Sequence, residues 1–80
     1  MDKEFQAARK YFLDLGLSKE ETKEMLNLKK MAYNMNEQQV SEFALDMEEE
    51  GIPPEVIGEI IRHHLKIKKR LPKDLQYLMP

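Results

Sequence analysis

The chain has 80 residues, 41% of them apolar and 35% charged, with a net charge of −2 and no cysteine. That length supports one small helical domain over residues 1–80, which buries only about 60–65% of the surface its unfolded form exposes. The missing cysteine excludes a disulfide framework, a thiolate metal site and a thiol nucleophile.

Strong helix formers dominate, and β-branched residues cluster at positions 56–67. The first helix is predicted over residues 2–15, with Asp2 as its cap. Phe5, Ala8, Phe12 and Leu15 form its apolar stripe, flanked by Tyr11. Gly16 is a stop signal, after which Leu17 folds back against the helix end. Ser18-Lys19-Glu20-Glu21 is a capping box: the Ser hydroxyl accepts from the amide three residues on, and the Glu carboxylate reaches back. The second helix therefore starts near Lys19, with Met25, Leu28, Met31, Ala32 and Met35 as its buried face. Asn36-Glu37-Gln38-Gln39 repeats the capping pattern and starts a third helix near Glu37. Val40, Phe43, Ala44 and Met47 follow at i, i+3, i+4 and i+7, and Leu45 lies off that face.

Residues 48–57, Glu-Glu-Glu-Gly-Ile-Pro-Pro-Glu-Val-Ile, read as a helix end, a tight corner and a new start. Gly51 closes the third helix, the two prolines suit a first helical turn, and Glu55 meets the positive end of the new helix. The fourth helix is predicted over residues 54–69, with Ile57, Ile60, Ile61, His64 and Leu65 on one broad face and Val56 and Ile67 at its edges. Gly58 inside it suggests close helix packing, since it costs about 1 kcal/mol against Ala. Leu71-Pro72 breaks the helix, and residues 72–78 form a candidate further turn that docks Leu75 and Leu78.

Charge is split along the chain. Between Met31 and Ile61 there are eight acids and no Lys or Arg; from Arg62 onward there are six bases against Asp74. Helix-dipole complementarity and solvated faces account for much of this. Two functional readings stand beside that one. Lys66, Lys69, Arg70 and Lys73 are candidates for phosphate-backbone contact with nucleic acid, although the acidic half opposes it. Alternatively, the acidic and basic halves steer self-association or a protein partner.

No catalytic signature is present: no Gly-rich phosphate loop, no Gly-x-Ser-x-Gly and no His-Glu-x-x-His. His63 and His64 point about 100° apart on a helix and cannot chelate one ion together. Glu59 and His63 at i, i+4 offer two metal ligands, short of a site. A surface Glu–His pair is expected for His63, and a partly buried, hydrogen-bonded core place for His64. Met25, Met31, Met35 and Met47 read as core filler, or as the adaptable surface of a protein that accepts a partner helix.

The corner at residues 48–57, with His64 thirteen residues past Gly51, resembles a small bacterial and archaeal helical domain of unknown function. That domain is found ahead of hemerythrin-like and PAS sensor domains. Ser18-Lys19-Glu20-Glu21 and Asn36-Glu37-Gln38-Gln39 fill its two helix-start positions, and Ile61 stands where that family carries a cysteine. The resemblance implies a helical accessory or regulatory module, with no activity to carry over.

The expected fold is all-α: a compact bundle of four short helices with a candidate C-terminal turn. The expected function is a non-enzymatic interaction or regulatory module that binds a protein partner or a second copy of itself, with Leu26, Tyr33 and Leu45 as candidate contact residues. A nucleic-acid-associated factor is the second reading, and a metal or small-ligand sensor the third. No cofactor is expected. The charged start Met1-Asp2-Lys3-Glu4 lacks a signal peptide's apolar core, and no apolar run reaches the ~20 residues of a membrane span. A cytoplasmic protein with no membrane contact is therefore expected.

Overall fold

Two glycines end helices by the same backbone chemistry. Gly16 (φ 98°) and Gly51 (φ 88°) take the left-handed conformation that a Cβ disfavours. Past each glycine the next amide reaches back five residues: Leu17 N–H donates to the Phe12 carbonyl at 3.2 Å, and Ile52 N–H to Met47 at 3.1 Å. The glycine amides themselves donate to Leu13 and Glu48, both at 3.0 Å. These bonded pairs satisfy carbonyls that a helix end otherwise leaves open. Leu17 and Ile52 are thereby folded back onto the core, as the sequence predicted for Leu17.

The computed structural model describes residues 3–68, with side chains through residue 65. Its helices are α1 (Lys3–Asp14), α2 (Lys19–Tyr33), α3 (Glu37–Glu49), α4 (Pro54–Ile60) and α5 (Arg62–Lys68). No strand occurs among the described residues, and the fold is all-α. Both capping boxes form in full. The Glu21 amide donates to Ser18 Oγ at 3.0 Å, and the Gln39 amide to Asn36 Oδ1 at 2.9 Å; the reciprocal bonds are 2.8 and 2.9 Å. The cap expected at Asp2 and the turn expected at residues 72–78 lie outside the described residues.

The short helix α4 is the element the others share. It packs against α1, α2 and α3, and α1 also packs along α2. A helix that is apolar on most of its circumference has to be covered on several sides. Val56, Ile57, Ile60 and the following Ile61 are all buried, and they join Ala8, Phe12, Ala32, Val40, Ala44 and Met47 in one core.

The structure corrects the sequence reading in three places. The fourth helix does not run unbroken to Lys69. It stops at Ile60, Ile61 takes φ −97° and ψ 9°, and the chain restarts as α5. Neither glycine nor proline marks this joint. Two side chains just past it are held instead: Arg62 by Glu59 three residues back across the joint, and His64 by the distant Ala32 carbonyl. Secondly, Met31 is 52% exposed rather than buried. The face that α2 turns inward is Thr22, Lys29 and Ala32, with Met25, Leu26, Leu28 and Met35 packed at its margins. Thirdly, Leu15 is 44% exposed, because α1 ends at Asp14 and the stripe it was expected to continue has already turned away.

Candidate functional site

The most unusual residue in the interior is a lysine. Lys29 sits mid-way along α2 with its side chain 1% exposed. Its Nζ donates to the backbone carbonyl of Glu59 at 2.7 Å, and it faces Glu4 Oε2 at 3.0 Å and Glu59 Oε2 at 3.7 Å. The ring of Phe5 lies beside it, 5.7 Å from Nζ to the ring centre. On its other side the Glu59 carboxylate meets Arg62 at 3.3 Å. Two cations and two carboxylates thus tie α1, α2, α4 and α5 together at neutral net charge.

A buried ammonium is tolerated only when charge and hydrogen bonds replace the water it lost. Here the ammonium donates to the Glu59 carbonyl and lies within ion-pair distance of one oxygen of each carboxylate. The cluster reads as a structural lock, since its charges face one another across the packed helices. Lys10 and Asp14 make the contrasting pair. They meet at 2.9 Å on the outside of α1 with both side chains mostly exposed, and the Asp14 hydrogen bond and charge raise the Lys10 pKa above its ordinary 10.5. Solvent-exposed pairs of this kind contribute little to stability.

This arrangement changes the reading of the two histidines. The expected surface pair between Glu59 and His63 does not form, because Glu59 is buried and turned toward Lys29 and Arg62. His63 instead lies against the ring of Tyr33, 3.9 Å between centroids at 42°, and Phe5 meets Tyr33 edge-on at 5.9 Å. His64 is hydrogen-bonded as expected but more deeply buried than the partly buried place predicted for it, and its Nε2–H donates to the carbonyl of Ala32. That carbonyl belongs to the last turn of α2, where acceptors lack intrahelical donors. α5 therefore caps α2 through a side chain 32 residues away. Glu59, His63 and His64 are each engaged elsewhere, and no three metal-ligating side chains converge among the described residues.

The three candidate contact residues fall in two places. Leu26 and Tyr33 are two turns apart on the side of α2 that faces α1. Leu26 is half-buried there, whereas Tyr33 is 36% exposed. Leu45 is also 36% exposed, but it lies on α3, which packs on α4. The seven exposed acids Glu37, Glu42, Asp46, Glu48, Glu49, Glu50 and Glu55 line α3 and the corner after it. Of the proposed nucleic-acid residues, Lys66 lies on α5 with its side chain outside the described set, and Lys69, Arg70 and Lys73 lie beyond the described residues.

Two surface features escaped the sequence reading. Exposed Met31 stands one turn past half-buried Leu28 on α2, with half-buried Met35 in the loop just beyond the helix end. Between α1 and the start of α2 there is an open groove of about 240 Å³, lined by Arg9, Leu13, Lys19, Thr22, Lys23 and Leu26. The groove was legible only as a pairing of two helices, since its cations are spread over fifteen residues of sequence. Among the described residues, no helix is long and apolar enough to cross a membrane. No family model, curated protein or solved structure matches the chain.

Proposed function

We propose that this domain is a non-enzymatic interaction or regulatory module that self-associates through the outer edge of α2. The observation that carries the reading is Met31, 52% exposed between two apolar neighbours that already lean on the core. Leu28 and Met35 give the edge a rigid base, and an unbranched thioether above them adapts to varied partner surfaces. Tyr33 and Leu45 supply further exposed apolar area. The buried acids and bases are consumed in holding helices together, which leaves recognition to the surface. The resemblance of the corner at residues 48–57 to a helical accessory domain points to the same class.

Light scattering coupled to size-exclusion chromatography, over a range of protein concentrations, tests this reading. The parent chain is expected to reach the mass of a dimer, and Met31→Glu to remain a monomer with an unchanged melting temperature. A parent that stays monomeric at every concentration and salt, or a Met31→Glu variant of identical mass profile, removes the proposal.

A further inference from the structure

The groove between α1 and the beginning of α2 combines three cations with an apolar floor. Arg9 comes from α1, and Lys19 and Lys23 from the first two turns of α2; all three are exposed at its rim. None of them forms an ion pair or side-chain hydrogen bond among the described residues, in contrast to Lys10, Lys29 and Arg62. No carboxylate lines the groove. Leu13 and Leu26 supply the apolar floor. Thr22 is 2% exposed, and its hydroxyl has no hydrogen-bond partner, a costly state for a buried polar group. A threonine on a helix has two accessible χ1 wells, so its hydroxyl can turn from the wall toward a ligand.

Three unpaired cations on separate stems suit a doubly charged anion better than a single carboxylate. The planar guanidinium of Arg9 adds a fork that matches two phosphate oxygens. A volume of about 240 Å³ holds a small organic group and not an extended chain. We infer that this groove binds a small phosphate monoester, with the phosphate held by Arg9, Lys19 and Lys23 and the organic part against Leu13 and Leu26. The inference does not rest on self-association, because Met31 lies well along α2 from these residues.

Amide chemical shifts followed by NMR during titration test it, with phenyl phosphate and inorganic phosphate as soluble probes. Vesicles of phosphatidylcholine with and without phosphatidic acid distinguish a lipid headgroup from a free ligand. Phenyl phosphate is expected to shift residues 9–26 saturably and to bind about tenfold more tightly than inorganic phosphate. Arg9→Gln, Lys19→Gln and Lys23→Gln, all at exposed positions, are each expected to weaken binding about tenfold with an unchanged melting temperature. Competition by phosphatidic acid vesicles at the same residues identifies the headgroup as a source; vesicles without effect identify a free ligand. The inference is overturned if no saturable shift appears, or if the shifts persist when all three cations are replaced. It is equally overturned if the same residues shift on raising protein concentration without phosphate, together with the acids of α3, because the groove is then a contact between copies.

Discussion

Replacing Lys29 with methionine isolates the charge of the buried lock from its packing. Methionine keeps an unbranched apolar stem, so most of the contact made by the lysine methylenes survives. What disappears is the cation facing Glu4 at 3.0 Å and Glu59 at 3.7 Å, together with the 2.7 Å hydrogen bond to the Glu59 carbonyl. Glu59 is 7% exposed and cannot rehydrate without opening the helix packing. Arg62 still meets it at 3.3 Å, but that guanidinium is half in solvent and offsets only part of the loss. Removing one partner of a buried pair costs roughly 3–5 kcal/mol, and the surviving Arg62 places Lys29→Met at about 3 kcal/mol. A domain of this size has a total stability of about 4–12 kcal/mol, so the effect is large. Urea unfolding followed by far-ultraviolet circular dichroism measures it. The double variant Lys29→Met, Glu59→Leu is expected to recover part of the loss, since it removes the buried Glu59 charge along with the lysine, while the Glu4 carboxylate that faced the lysine at 3.0 Å stays. Lys29→Met within about 0.5 kcal/mol of the parent would refute the reasoning, as would a double variant no more stable than the single.

Two further substitutions test the joints. His64→Phe keeps a ring in the buried site and deletes the donor to Ala32; the Met35 amide still serves that carbonyl at 3.1 Å, so a loss of about 1 kcal/mol is expected. Hydrogen exchange should accelerate at the C-terminal turn of α2, and unchanged exchange there would remove the capping role. At Gly51 nothing lies within 4 Å of an added Cβ, so Gly51→Ala pays only for the left-handed backbone at φ 88°, about 1 kcal/mol in urea unfolding. A loss several times larger would mean that the corner is packed against something more than its own backbone.

The parts of the fold legible in the sequence are those set by neighbours along the chain. Ser18 and Asn36 start helices because their side chains reach an amide three residues on, and Gly16 and Gly51 end helices because only the local backbone conformation matters there. The apolar stripes of α1 and α3 were readable for a similar reason: each has a single strong phase, and Phe5, Ala8, Phe12, Val40, Ala44 and Met47 are buried as that phase requires. His64 as a hydrogen-bonded core residue was also within reach, although its acceptor was not.

Helix α2 carries two competing phases, and only tertiary structure chose between them. One runs through Met25, Leu28, Met31, Ala32 and Met35; the other keeps Ala32, adds Thr22 and Lys29, and turns Met31 outward. Hydropathy favours the first. The second keeps Ala32, which both faces share and which has almost no side chain to separate the helices, in the core. It also carries the Lys29 ammonium to Glu4 and Glu59. Those carboxylates lie 25 and 30 residues away in sequence, beyond any local pattern. The same partnership hides Glu59 and denies His63 its expected carboxylate, and Met31 is left facing outward. Caps and stops came from the sequence alone because their bonds are short-range. The facing of α2, and with it the exposure of Met31, depends on groups that meet only once the chain has folded.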